Sequence, residues 1–310
     1  MTQFKKLYIW IFFFLFLAGA GCSKPPAPPV QLTDNQQKFL KICREEYGLS
    51  IIIHPLENTF WIYLPKEESF LDIKASPEGP RNSKEAQEVP TIKFLDGHFE
   101  QGSFHIEYDI ESAKIYEKTY GYSSQFTDQY QKDQRNILTA ISRAFAEAES
   151  ASPDFFIITI ADIKKGLEAR TTLAFDDLQR TMVDPSFQEE YTRRIIVDYP
   201  VGNPQIIGDK KGNHLEYKEM TWPEFLCKQM IYRVQSKYQR SSFPPSADTQ
   251  PEILKIAAQT IAAYNFQNFE SLELNDLGKN SIAVFTKEQL AGFTPKKEPP
   301  PGKFHTIYFR

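Results

Sequence analysis

The 310-residue chain lacks the short motifs by which many enzyme families are identified. It contains no G-x-S-x-G or S-x-x-K nucleophile motif, no G-x-x-x-x-G-K phosphate loop and no G-x-G-x-x-G dinucleotide fingerprint. Their absence argues against a nucleotide ligand, and the sequence predicts no cofactor. An enzyme is therefore not the favoured interpretation.

Histidine is also scarce, and its spacing does not suit a metal site. None of the five histidines stands in an H-x-x-x-H or H-E-x-x-H pattern, in which two imidazoles share one helix face. The sequence therefore predicts no metal. It predicts solvated or turn positions for these side chains, which are His54, His98, His105, His214 and His305.

Long apolar runs are missing except at the N-terminus. Lys5 and Lys6 precede the apolar stretch LYIWIFFFLFL, and small residues follow it, which is the three-part pattern of a secretory signal. The alternative is a retained membrane span. A span needs roughly 20 apolar residues, whereas 7–21 provide fifteen and the proline-rich SKPPAPP follows. The pattern favours a cleaved signal peptide at residues 1–21.

The end of this segment, Ala20-Gly21-Cys22, resembles the lipobox of bacterial lipoproteins. It departs from the usual pattern at Gly19, where leucine is common. The resemblance implies cleavage before Cys22 and acylation of that cysteine, which would anchor the chain in a membrane. With Ser23 directly after the cysteine, the pattern resembles that of lipoproteins sorted by default to the outer membrane. The folded part would then face the periplasm. Residues 22–33 would then form a proline-rich tether in the bacterial envelope.

The charge balance has no basic excess. The signal segment carries two of the 36 basic residues and none of the 40 acidic ones, so the mature chain would have 34 and 40. A mildly acidic chain of this kind is a poor match for nucleic acid or anionic lipid headgroups. The membrane contact expected from the sequence is therefore the lipid anchor alone.

Cysteine is almost absent from the mature chain. Once Cys22 is acylated, only Cys43 and Cys227 remain. An oxidising envelope would permit a disulfide between them. Both residues fall on apolar helix faces, where a free cysteine behaves as a small buried hydrophobe. The sequence favours two buried thiols over a disulfide.

The remaining pattern predicts an α+β fold, with helix-plus-hairpin units that form antiparallel or mixed sheets covered by helices. A helix followed by two strands recurs three times, at roughly 34–65, 130–175 and 251–285. FHIEYDIE alternates apolar and polar residues, so it predicts a strand with one buried face. We expect an exposed loop at 66–90. The predicted divisions are an α+β domain at 34–125, a second at 126–293, and a proline-rich tail with a final strand at 294–310.

Carboxylates supply one enzyme hypothesis, a hydrolase acting on envelope glycan or peptide. Asp162 follows the apolar strand FFIITIA, and Asp176 and Asp177 follow its partner strand. A hairpin places these positions at opposite ends, while a glycosidase needs two carboxyls about 5–10 Å apart. The structural interpretation is favoured: Asp162 forms a turn, and Asp176 or Asp177 caps a helix.

Aromatic residues supply the other hypothesis. In TFWIYLP, Trp61 and Tyr63 share one strand face while three apolar residues share the opposite face. Either the strand is covered on both faces, or Trp61 and Tyr63 form an interaction surface for an envelope protein or the cell wall. The expected function is a non-catalytic binding or assembly module of a lipid-anchored envelope lipoprotein. The alternative is the hydrolase that uses carboxylates near Asp162.

Overall fold

A computed structural model describes seven segments of the chain, which are residues 32–75, 81–119, 122–146, 152–199, 202, 204–238 and 248–292. Several predictions fall outside these segments. These are the signal peptide 1–21, Cys22, nearly all of the tether 22–33, and the tail 294–310 with its final strand.

Helices and strands are interspersed along the described residues, which confirms the predicted α+β class. The helices are α1 Asp34–Lys41, α2 Asp128–Phe145, α3 Phe175–Val183, α4 Gln188–Arg194, α5 Pro204–Ile207, α6 Trp222–Tyr238, α7 Thr249–Ala263 and α8 Lys287–Leu290. The strands are β1 Ile52–Pro55, β2 Thr59–Lys66, β3 Leu71–Ala75, β4 Arg81–Glu100, β5 Ser103–Thr119, β6 Tyr122–Phe126, β7 Phe155–Asp162, β8 Leu167–Ala174, β9 Ile196–Asp198, β10 Ser271–Asp276 and β11 Ser281–Thr286.

The first sheet has five strands in the order β1-β2-β7-β8-β9. Strands β2 and β7 are parallel, and the other pairs are antiparallel. Every residue of β7 is buried, as a nearly continuous apolar run predicts for a central strand. Helices α1 and α2 cover one face, where Phe39, Ile137 and Phe145 pack on Phe60 and Phe156.

The second sheet has four strands in the order β11-β10-β5-β4, with β5 and β10 parallel. Helices α6 and α7 cover one face of it. Phe104, Ile106 and Tyr108 point into this core and are fully buried, which confirms the face predicted from FHIEYDIE. Strands β3 and β6 form a separate two-stranded sheet.

Strand pairing crosses the division that the sequence predicts between 34–125 and 126–293. The parallel pairs β2–β7 and β5–β10 each join a strand from the first segment to one from the second. Helix α6 also lies between the two large sheets, because Phe225 packs with residues of the first sheet and Leu226 with the second. The two halves of the chain thus build both sheets together.

The predicted loop at 66–90 is wrong over most of its length. It contains β3 and the first half of β4, which pair with β6 and β5 respectively. The predicted state of the cysteines is confirmed: Cys43 and Cys227 are free, buried and in separate cores.

Candidate functional site

Trp61 and Tyr63 do not form an exposed interaction surface, because both rings are buried, at 6% and 0% exposure. The segment 209–221 lies across them. Trp61 Nε1 donates to the Lys218 carbonyl at 2.9 Å, and Tyr63 Oη donates to the Asp209 carbonyl at 3.0 Å. Of the two interpretations that the sequence allows, the structure confirms a strand covered on both faces.

The covering segment is fastened by its own turn and by the first residue of β2. Asp209 accepts hydrogen bonds from the Lys211 and Asn213 amides, each at 2.8 Å, and these bonds lower the pKa of its carboxyl. The Met220 amide donates to the Thr59 hydroxyl at 2.8 Å. The segment is therefore held at both ends, although its sequence carries no helix or strand periodicity.

Asp162 has the predicted structural role. Its Oδ1 accepts from the Lys164 and Lys165 amides at 3.1 and 2.9 Å, so it forms the turn between β7 and β8. Asp176 and Asp177 differ from their prediction, because Ala174 is the N-cap of α3 and both aspartates lie in its first turn.

These aspartates do not converge on one substrate position. Asp162 pairs with Leu167, whereas Ala174, which precedes α3, pairs with Phe155 at the far end of the hairpin. Eight strand residues span about 20 Å or more, and a glycosidase pair needs 5–10 Å. The geometry thus gives no support to a hydrolase site built on Asp162 and these two residues.

Asp177 forms a buried ion pair. Arg194 Nη1 donates to Asp177 Oδ1 at 2.9 Å, and the Tyr264 hydroxyl donates to Oδ2 at 2.8 Å. Burial raises the pKa of the Asp177 carboxyl, while the adjacent guanidinium opposes that shift. The pair connects α3 with α4, and its hydrogen bond to Tyr264 connects both to the end of α7. Its role is therefore structural.

A second buried polar cluster lies on the first sheet, beneath the segment 209–221. His214 Nε2 donates to Glu168 Oε1, and Arg170 Nη2 lies 3.6 Å from Glu168 Oε2. The prediction that His214 is solvated is wrong, since its side chain is nearly buried. Glu168 and Arg170 alternate with apolar residues of β8, but that alternation alone does not distinguish a wet face from a covered one.

This cluster has a carboxylate-oriented imidazole, an arrangement that also occurs in catalytic sites. His214 Nδ1 and Arg170 Nε have no hydrogen-bond partner among the described residues. The described contacts tie the cluster to the covering segment, because Tyr63 packs edge-on against the His214 ring at 5.7 Å. The geometry of the cluster therefore supports a structural role, in which it holds the segment 209–221 on the first sheet.

The second sheet offers a different kind of surface, which we call the open face. It consists of outward-pointing residues of the four strands, which alternate with the buried core residues. They are Phe94, Asp96, His98, His105, Glu107, Asp109, Glu273, Asn275, Ile282 and Val284.

Histidine and carboxylate side chains form the centre of the open face. The His98 and His105 rings stack with centroids 4.8 Å apart, and His105 Nδ1 lies 3.5 Å from Glu273 Oε1. In the next cross-strand row, Asn275 Nδ2 donates to Glu107 Oε1 at 3.3 Å. These contacts hold the polar side chains in fixed rows across β4, β5 and β10.

The open face is predominantly acidic. Its ten residues include four carboxylates and no lysine or arginine. Lys93 lies at its margin, where it pairs with Glu111 at 2.7 Å and interacts electrostatically with Asp109. Exposed aliphatic side chains border the acidic centre on β11, where Ile282 and Val284 are 63% and 57% exposed. An acidic centre beside exposed aliphatic groups is a surface on which a cationic, partly apolar partner can bind.

Among the described residues, no group of three or more histidine, cysteine, aspartate or glutamate side chains could hold a metal ion. Within that same part of the chain, no helix combines the length and the apolarity that a membrane crossing requires. Comparison with known proteins finds no matching family model, no matching curated protein and no matching solved structure.

Proposed function

We propose that this chain is a lipid-anchored lipoprotein of the bacterial envelope that acts as a non-catalytic binding or assembly module. The anchor is Cys22, and the binding surface is the open face of the second sheet. The observation that carries the binding role is the composition of that face: four carboxylates, no arginine or lysine, and exposed Ile282 and Val284 beside them.

The covering of the two sheets supports this choice of surface. The first sheet is covered by α1 and α2 on one face and by the segment 209–221 and α6 on the other. The second sheet is covered by α6 and α7 on one face, and its opposite face carries the acidic rows. Antiparallel sheets commonly have one solvated face, so this face of the second sheet is open to a partner.

Charge complementarity favours an envelope protein with a basic surface over the cell wall. Opposite potentials accelerate encounter and fix orientation, and like charges disfavour it. A wall polymer that carries carboxylates would be repelled by Asp96, Glu107, Asp109 and Glu273. The tether at 22–33 would allow the folded part to reach a partner at or near the membrane surface.

The anchor is tested by the intact mass of the mature protein, extracted with detergent from bacterial membranes. We expect loss of residues 1–21 and an added mass of acyl chains, with no acyl mass in a Cys22→Ala variant. A chain of full, unprocessed mass would mean that 7–21 is a retained span, and the lipoprotein assignment would fail.

The binding surface is tested by placing a photo-crosslinking amino acid at Glu107 in the lipidated protein in cells. A control carries it at Glu45, which is exposed and lies beside α1. We expect a protein adduct from position 107 and none from position 45.

The captured protein is then purified and titrated against the wild type and a double variant, Asp109→Asn with Glu273→Gln. We expect at least tenfold weaker binding for the double variant, and weaker binding to the wild type at high salt, because salt screens exposed charges. Equal affinities for the two proteins would refute the acidic face as the binding surface. If the protein instead bound isolated cell wall with an affinity that does not depend on salt, the acidic face would also be refuted as the binding surface.

A further inference from the structure

Three charged side chains come together at one end of the first sheet, on the face that α1 and α2 cover. Lys66 is the last residue of β2, Asp162 is the last residue of β7, and the two are partners in the parallel register. Asp133 lies on α2 one turn before the buried Ile137, so it faces the same sheet. The Lys66 and Asp133 side chains are in contact, with Nζ 2.8 Å from Oδ2.

This cluster is largely removed from water. Asp133 and Asp162 are each 1% exposed, and the Lys66 side chain is 24% exposed. Burial of an ion pair costs desolvation free energy that the attraction between the two charges repays only in part. Conversion of the two charged groups into one neutral amide removes that cost. The burial therefore favours a covalent link between Lys66 and Asp133.

The Asp133 carboxyl is held in a position that suits attack by an amine. Gln129 Nε2 donates to Asp133 Oδ1 at 2.7 Å, while Lys66 approaches the other oxygen. A donor fixed on a carboxyl oxygen stabilises the negative charge that develops there when a nucleophile adds to the carbon. Gln129 thus has the position of an oxyanion donor for addition at Asp133 Cγ.

Asp162 supplies a second carboxyl beside the amine. Its Oδ1 accepts from the Lys164 and Lys165 amides, which fixes the side chain, and its Oδ2 is buried. Neighbouring strands lie about 4.8 Å apart, and directly paired residues point to the same face. The Asp162 carboxyl is therefore a neighbour of the Lys66 side chain, where it can take up and return a proton.

We propose that Lys66 and Asp133 form an intramolecular isopeptide bond after the chain folds, with Asp162 as the proton relay. A proton passes from the Lys66 ammonium to the Asp133 carboxylate, which leaves an amine and a carboxylic acid. The amine Nζ then adds to Asp133 Cγ, while Gln129 holds Oδ1. Asp162 takes a proton from Nζ and returns it to Oδ2, which leaves as water. One N–C bond forms, one C–O bond breaks, and nothing is oxidised or reduced.

The bond joins β2 to α2, and it needs neither a cysteine pair nor an oxidant. The test is mass spectrometry of the full-length protein, digested with trypsin under denaturing conditions. We expect a branched product, in which a peptide that contains Lys66 is joined to one that contains Asp133 with the loss of one water. The exposed ion pair of Lys93 and Glu111, at 2.7 Å, is the control within the same digest and should yield separate peptides.

Three conservative variants identify the chemistry. Asp133→Asn retains an electrophilic carbon, so it should lose ammonia in place of water and give the same branched product. Lys66→Arg retains the positive charge but lacks the amine, so it should give no branched product. Asp162→Asn retains the oxygen that accepts in the turn but removes the acid. After refolding from urea, we expect its bond to form at least roughly tenfold more slowly than in the wild type.

Separate Lys66 and Asp133 peptides from the folded wild type would refute the bond and leave a buried ion pair. Loss of water without a branched product would refute it as well, since an aspartate can also lose water by closing on its own backbone. If Asp162→Asn formed the bond at the wild-type rate, the relay by Asp162 would be refuted. These outcomes are independent of processing at the N-terminus and of binding at the open face.

Discussion

Arg194 and Asp177 form an ion pair in which the guanidinium and the carboxylate are both nearly buried, with Nη1 and Oδ1 2.9 Å apart. Tyr264 donates to the second carboxylate oxygen, and Glu190 accepts from Arg194 Nε at 2.9 Å. The Arg194 guanidinium also lies 4.6 Å from the centre of the Tyr264 ring. One carboxylate thus fixes the positions of α3, α4 and the end of α7.

Asp177→Ala should destabilise the protein strongly, because it leaves Arg194 buried without this counter-charge. We expect a loss of about 3 kcal/mol in the free energy of unfolding, measured by urea denaturation. Asp176→Ala is the matched control, since Asp176 is the exposed neighbour in the same helical turn, and it should change stability by less than about 0.5 kcal/mol. Similar urea midpoints for the two variants would contradict the structural role of the pair.

Trp61→Phe should loosen the segment 209–221. The substitution keeps an aromatic ring but removes the Nε1 donor, so the Lys218 carbonyl loses its hydrogen bond. We expect a loss of about 1 kcal/mol and faster tryptic cleavage after Lys210, Lys211 or Lys218. A Glu216→Gln variant changes an exposed side chain of the same segment and should be cleaved at the wild-type rate. Unchanged cleavage of Trp61→Phe would show that this bond does not hold the segment.

The two thiols of the folded protein should be unreactive. Burial raises the pKa of Cys43 and of Cys227 to about 12, so almost no thiolate is present at pH 8. In a Cys22→Ala chain, we expect a thiol-specific disulfide reagent to modify neither residue before unfolding and both after it. Rapid modification of the folded chain would contradict the burial. If reduction changed the mass of this chain, Cys43 and Cys227 would instead be joined by a disulfide.

The contact between α6 and α7 should depend on pH through Glu252 and Lys237. The hydrogen bond from Lys237 lowers the pKa of the Glu252 carboxyl. A lowered folded-state pKa stabilises the fold above the ordinary carboxyl pKa, and this stability is lost as the pH falls through the lowered value. Glu252→Gln should therefore cost a few tenths to about 1 kcal/mol at pH 7 and nothing in strong acid.

The control for this titration is Glu100→Gln, at an exposed position near the end of β4. Its stability difference from the wild type should be small at every pH. If the Glu252→Gln difference stayed constant from pH 7 to strong acid, the loss would come from packing, and the ion pair would have no measurable role.

Local periodicity predicted the elements whose faces differ in polarity or are wholly apolar. Alternation identified β5, and an unbroken apolar run identified β7 as a central strand. By contrast, the first half of β4 lies in a polar stretch whose sequence predicts a loop. Its pairing with β5 provides backbone hydrogen bonds along a long antiparallel ladder, and its side chains give no sign of that partner.

The candidate site was less predictable, because it depends on what covers each face. The apolar pattern of β2 identified Trp61 and Tyr63 but left two interpretations, and only the position of 209–221 decides between them. That segment has no periodic pattern from which its position could be read. The open face combines rows from β4, β5 and β10, and the parallel pairing of β5 with β10 is invisible to any local pattern.

The parallel pairing of β5 with β10 also determines when the second sheet can form. Ser103 and Ser271 are neighbours in the sheet but 168 residues apart in the chain. Closing such a long loop is entropically costly, and folds rich in distant pairings form slowly. A chain that emerges from its N-terminus therefore presents β5, with its apolar Phe104, Ile106 and Tyr108, beside β4 but before the parallel partner β10 exists. Until residues 271–276 follow, one edge of β5 is without its native neighbour and is open to mispairing with other strands.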